Sequence, residues 1–348
     1  MIFQSPPPPP QQQVVPALII DCTTSSKSAD ELRAIGVPYY RWFGQSTDPE
    51  SIKTGRIDTS KLIEEISRKM GSDPVGWGML DYEDPFDAWL DLPADDPRHA
   101  QAVDEMVRAI RTVKSAFPKV KWTFYGQPRL DRWPVQADGT RKGWPDASEE
   151  SRTKEIERRV ASVGPIVAEV DWINPSFYDV YENAMFQGDE RRVMLANEHR
   201  WRVEDARLGR EIRRRRGLPQ VPVIACISCV FQGGGRATPF RPVPEPELIE
   251  DQVTPAIEGG VDGFAMWSGV DFAVMVATLP EGHRLEPSDM KVQQEARVAW
   301  QPIVPEARTP GDWNDDQIRF ELSQRIGDMV SAAAKAVKAA ATRRAGAN

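Results

Sequence analysis

Seven short apolar runs recur along the 348-residue chain, most of them separated by stretches with helical spacing, and this alternation constrains the fold more than any other feature. The runs are ALIID (17–21), YYRWFG (39–44), GWGMLD (76–81), VKWTFYG (120–126), VDWINPSFY (170–178), VPVIACIS (221–228) and VDGFAMWSG (261–269). Between them, DTSKLIEEISRKMG places acids early, Lys and Arg late and a glycine at the end, as the helix dipole and a glycine stop require. DPRHAQAVDEMVRAIRTVKSAFP spaces its apolar residues by three and four. SADELRAIG, SEESRTKEIERRVASVG, DERRVMLANEHRWRVEDARLGREIRRRRG and PELIEDQVTPAIEGG supply further helical patterns, and DDQIRFELSQRIGDMVSAAAKAVKAAA follows the last strand. Strands alternating with helices imply parallel pairing through helical crossovers. Near-continuous apolar strands imply a sheet covered on both faces.

The expectation is therefore an α/β chain folded as a single (β/α) barrel of the TIM type, with seven or eight strands. An open, doubly wound sheet is the alternative. It normally carries a glycine-rich phosphate loop after its first strand, and IIDCTTSSKSADE offers none. FQGGGRATPF is glycine-rich but leads into prolines instead of a helix. Residues 1–13, with five consecutive prolines and a glutamine run, read as an extended leader. That leader is either a plain tether or a contact for a protein partner, and it lacks the basic start and apolar core of a secretory signal. Residues 14–348 form the barrel domain, with an irregular, proline-rich segment at 279–313 and a C-terminal helix.

Charge and composition narrow the function classes. A net charge of −8 argues against a general binder of nucleic acid or anionic membranes. No apolar run approaches the roughly 20 residues that span a bilayer, so the location expected is cytoplasmic or within a larger particle. The three cysteines, Cys22, Cys226 and Cys229, build no disulfide framework. CISC lies on a strand, where residues three apart point to opposite faces, so it reads as two buried small hydrophobes. His99, His199 and His283 are isolated, no metal-ligand spacing is present, and no cofactor is expected. REIRRRRG reads as the solvated C-terminal end of a helix, where Arg complements the dipole.

In a barrel of this class the chemistry sits at the C-terminal ends of the strands. Those ends carry Trp42 on the second strand, Asp81, Tyr82 and Glu83 on the third, and Tyr125 and Gln127 on the fourth, with Arg129 beyond. The fifth contributes Asn174, Ser176, Tyr178 and Tyr181, and the seventh contributes Trp267 and Asp271. Acids among Tyr, Trp, Gln and Asn fit a carbohydrate site, because sugar rings offer a C–H face to aromatics and hydroxyls to planar polar groups. The fourth strand ends without a Glu, which disfavours the common glycosidase arrangement of acids on strands four and seven. Asp81 and Glu83 remain. Residues i and i+2 on a strand face the same way, and two close carboxyls do not both ionise easily, so one retains a proton as a general acid.

MLDYED at the end of the third strand resembles the D-x-E motif of the hyaluronidase family, a distorted seven-stranded barrel. More distantly it resembles the D-x-x-D-x-D-x-E motif of the chitinases. WTFYGQP, INPSFYDVY and GFAMWSG resemble the fourth, fifth and seventh strands of the same kind of enzyme. The resemblance implies a glycoside hydrolase using substrate-assisted catalysis. Glu83 is then the acid/base, Asp81 orients a 2-acetamido group, Tyr82 fills the intervening aromatic position, Tyr178 meets the acetamido oxygen and Trp267 lines the pocket floor. The implied substrate is an oligo- or polysaccharide. The competing reading from another class is a catalytically silent barrel that binds glycan or serves a larger assembly. A barrel enzyme acting on another small molecule is a third.

Overall fold

The computed structural model describes residues 17–21, 34, 38–178, 185–231 and 242–267, and, beyond 293, residues 294, 297–298, 300–302, 305–308, 312–313 and 316–347. The leader, the helical pattern around 28–36, most of 279–313 and the candidates Tyr181 and Asp271 lie outside the described residues.

Six parallel strands form one sheet: β1 (Ala17–Asp21), β2 (Tyr39–Gly44), β3 (Gly76–Asp81), β4 (Val120–Phe124), β5 (Ile224–Ser228) and β6 (Gly263–Trp267). Their order is β4-β3-β2-β1-β6-β5, and each neighbouring pair is parallel. The main helices are α1 (Thr59–Met70), α2 (Pro97–Ala116), α3 (Glu149–Glu169) and α4 (Gly188–Arg215), followed by the short α5 (Thr254–Glu258) and the long C-terminal α6 (Asp316–Ala347). Local chemistry starts them where the sequence predicts. Asp58 caps α1 by accepting from the Ser60 and Lys61 amides, Asp96 caps α2 ahead of Pro97, and Ser148 caps α3.

The expected fifth strand is the element that differs. Residues 171–178 make single parallel bridges to the β5 side, Ile173 with Val223 and Ser176 with Cys226, and no continuous ladder. Pro175 sits mid-segment and has no N–H to donate, which interrupts a ladder. Its carbonyl still accepts from the Cys226 amide at 2.7 Å. On its other side the segment reaches β4, with the Asp171 amide donating to the Trp122 carbonyl at 2.8 Å. Residues 171–178 thus bond to both edge strands of the six-stranded sheet.

Alternation along the strands separates two apolar clusters. One residue set, including Phe43, Leu80, Trp122, Phe124, Phe264 and Met266, packs with the helices in the large core. The alternate set, Tyr40, Met79, Cys226 and Ala265 with Trp172, Tyr178 and Ile224, forms a second, smaller cluster. Cys226 and Cys229 fall in different clusters, both buried, as expected for residues three apart at a strand end.

Candidate active site

On the face of the smaller cluster, the inner face, β3 carries Trp77, Met79 and Asp81, and Asp81 is the last residue of the strand. Two backbone features bring its neighbours close. Gly44 lies beside Asp81, where a Cβ would stand 1.8 Å from the Asp81 carbonyl oxygen. Only a residue without a side chain permits that approach. After β4, Gly126 takes φ 66° and turns the chain toward Gln127.

Asp81, Glu83, Trp42, Met79, Tyr125, Ser176, Tyr178 and Trp267 all line one cleft, whose volume is about 1030 Å³. Three of these rings form a stacked row. Tyr125 and Tyr178 lie with centroids 5.6 Å apart at 29°, and Tyr178 and Trp267 lie 5.5 Å apart at 23°. The hydroxyls of Tyr125 and Ser176 share a hydrogen bond at 2.9 Å, and the Tyr178 hydroxyl lies 3.0 Å from Cys226 Sγ. Burial pushes both phenols well above their usual pKa, so they remain neutral donors.

The two carboxyls differ in depth. Asp81 Oδ1 is inaccessible and accepts no hydrogen bond from the described residues. Burial, then the charges of Glu83 and Asp87, raise the Asp81 carboxyl far above the ordinary carboxylate range. Glu83 is exposed at the mouth of the cleft. It is nonetheless raised, first by the loss of hydration between the cleft walls and then by Asp87, while Arg129 opposes the shift. The hydrogen bond between the two carboxyls raises Asp81 and lowers Glu83. Burial and neighbouring like charge thus favour the protonated form of both carboxyls.

Three of the expected site residues stand elsewhere. Tyr82 follows Asp81 by one residue and so points to the opposite face, where it is 3% exposed and packs edge-on against Phe86 at 6.0 Å. Asn174 is fully buried and donates from Nδ2 to the Ile224 carbonyl at 2.8 Å, tying the irregular segment to β5. Gln127 is buried and donates to Asp87 Oδ1 at 3.0 Å. These two brace the site without lining the cleft.

The outer half of the cleft, of which the sequence singled out only Arg129, is cationic. Arg129, Arg132, Arg141, Lys154, Arg158 and Arg159 line it together with Asp91, Asp131 and Glu155. Arg141 pairs with Asp131 at 2.5 Å, Arg158 with Glu155 at 2.7 Å and Arg159 with Asp91 at 2.6 Å. Arg132 lies over the Trp201 ring at 4.5 Å. Lys154 is exposed and makes no ion pair among the described residues. The spacing of Lys154 and Arg158 by four on a helix was the one local signal of a shared face. The loop that carries Arg129 and Arg132 is anchored by buried acids: Asp205 accepts from the Leu130 amide at 2.6 Å, and Glu155 accepts from the Asp131 amide at 2.9 Å. Burial lifts Asp205 to about 7.

Among the described residues no cluster of His, Cys, Asp and Glu is arranged to hold a metal ion, and no helix is long and apolar enough to cross a membrane.

No protein-family profile and no curated protein sequence matches the chain. Among solved structures, bee venom hyaluronidase is similar at 12% identity and a TM-score of 0.41, over 70% of this chain and 78% of that one. A proposed α-L-fucosidase from Bacteroides thetaiotaomicron is similar at 9% identity and a TM-score of 0.36, over 86% and 99%. The YdjI aldolase from Escherichia coli follows at 9% identity and 0.26, over 85% and 93%. At these identities and scores they carry no activity over to this chain.

Proposed function

We infer that this chain is a glycoside hydrolase whose acid/base is Glu83, assisted by Asp81. The observation that carries the reading is the pair of carboxyls, Asp81 and Glu83, that line the cleft at the end of a parallel strand, beside a stacked row of Tyr125, Tyr178 and Trp267, in a volume large enough for several sugar rings. In the same reading, residues 171–178 stand as a seventh member that closes the sheet into a barrel, since they bond to both of its edges.

Glu83 at the cleft mouth reaches a glycosidic oxygen more readily than the buried Asp81. It donates a proton to that oxygen as the bond to C1 breaks. In a substrate-assisted course the acetamido oxygen of the sugar bonds to C1, and Asp81 holds the acetamido N–H. The Glu83 carboxylate then takes a proton from water, and that water opens the cyclised intermediate with retention. The row of rings supplies stacking faces, and the unpaired Lys154 among the outer cations favours a glycan bearing acidic groups.

The test is turnover on a glycan panel with the parent chain and Glu83→Gln. General acid catalysis contributes about 10²–10⁴-fold, so the variant is expected to lose activity by that factor with its melting temperature unchanged. Parent-level turnover in Glu83→Gln ends the assignment. Glycan binding without cleavage by the parent replaces it with a silent, binding barrel.

A further inference from the structure

We propose that Asp87 and Arg129 form a positioning pair that fastens the loop bearing Glu83 to the far side of the cleft and sets the charge around the Asp81 and Glu83 carboxyls. The proposal rests on the glycosidase reading for its purpose, though not for its physical content.

The geometry starts from two loops. Asp87 sits at the start of the short helical turn Phe86–Leu90, and its amide donates to the Glu83 carbonyl at 2.7 Å. Arg129 lies beyond β4, on the loop that Asp205 and Glu155 anchor. The Arg129 guanidinium meets Asp87 Oδ2 at 3.2 Å, while the Gln127 side chain donates to Oδ1 at 3.0 Å. Both oxygens of Asp87 are thus engaged by the β4 side, and the pair fastens the loop bearing Glu83 to the loop bearing the cleft's first arginine. Arg129 and Glu83 both line the cleft.

The charges facing Glu83 come from three elements. The end of β3 and the loop after it supply Asp81, Asp84 and Asp87. β4 and the loop after it supply Tyr125, a neutral phenol, and Arg129. Behind Asp87 stand Asp91 and, from α3, Arg159. Within this set Asp87 and Arg129 act on Glu83 in opposite senses, the acid raising it and the arginine lowering it. Arg129 also opposes the rise that burial imposes on Asp87 itself. In this proposal the ion pair with Arg129 at 3.2 Å keeps Asp87 charged beside the two carboxyls, and a charged neighbour of like sign disfavours loss of a proton from them.

The signs give a test that a merely structural role would not pass. Removing the Asp87 charge with Asp87→Asn lowers the pH at which the carboxyl pair loses its proton. Removing the Arg129 charge with Arg129→Gln raises it. Each displacement is expected to be on the order of one pH unit. Arg129→Lys keeps the charge and is expected to restore most of the parent value. The readout is carbon-13 NMR of the Glu and Asp side-chain carboxyls through a pH titration of the full chain, which needs no substrate. Where the parent cleaves a glycan, the alkaline limb of its pH–rate profile moves in the same directions. Opposite displacements with recovery in Arg129→Lys support the pair. Displacements of the same sign, or none, overturn it. If Asp87→Asn does not fold, the two arginine variants decide: a rise in Arg129→Gln that Arg129→Lys reverses supports the proposal, and any other pattern overturns it. A parent that cleaves no glycan counts against the glycosidase reading alone, because the titration still decides the pair.

Discussion

The two faces of the sheet are built from alternate residues of the same strands, yet they have opposite characters. The outer face contributes Phe43, Leu80, Trp122 and Phe264, all fully buried against the helices. The inner face contributes Tyr40, Trp42, Trp77, Met79, Asp81 and Trp267, four aromatics with polar handles and a methionine around one acid. Along the inner face there is also a gradient. Toward the start of β3, Trp77 and Trp172 meet edge-on at 5.6 Å, and the Trp172 indole donates to the Lys121 carbonyl at 3.1 Å, which fills that end. Toward the strand ends, the rings line an open cleft. Apolar side chains that fit one another make the outer face a source of stability. Rings that are left half-exposed make the inner face a surface for a ligand.

The largest expected effect would break the comparison from the outer side. Trp122→Ala should lower stability by about 3–5 kcal/mol, as for other large buried aromatics, read as a shift in the denaturant midpoint. A loss under about 1 kcal/mol would mean that the outer cluster does not hold the fold. Next comes the inner side. Trp267→Ala removes the end of the stacked row and should weaken glycan binding by roughly the 0.5–1.5 kcal/mol of an aromatic contact, a few-fold to about tenfold in Kd. Its stability should change much less than that of Trp122→Ala, and equal losses of stability in the two variants would erase the distinction between the faces. The smallest effect concerns the outer half of the cleft. Lys154→Ala should raise KM a few-fold for an acidic glycan at low ionic strength, and the difference should fade at high salt, as exposed charges are screened. A salt-independent change would point to lost packing instead.

Asp81 and Glu83 were legible because a strand repeats every two residues, and two acids at i and i+2 share a face whatever else surrounds them. The same rule places Tyr82 on the other face, where it packs against Phe86; its place in the site rested on a family pattern and not on its geometry. Trp42, Tyr125, Tyr178 and Trp267 were legible as residues at strand ends. The irregularity of 171–178 was written in Pro175, although the two-sided bonding of that segment was not.

Local periodicity and capping, which act over a few residues, are what the sequence by itself determined here: the alternation of strands and helices, the helix starts at Asp58, Asp96 and Ser148, and the facing of Asp81 with Glu83. The tertiary structure alone decided which charges meet. Asp87 finds Gln127 and Arg129 across the gap between two strands, and α3 brings Lys154 and Arg158 to a cleft whose acids lie on β3. Periodicity constrains neighbours on one element, whereas an ion pair between elements depends on where the packed core sets their ends, and hydrophobic packing is indifferent to the sign of the charges it brings together.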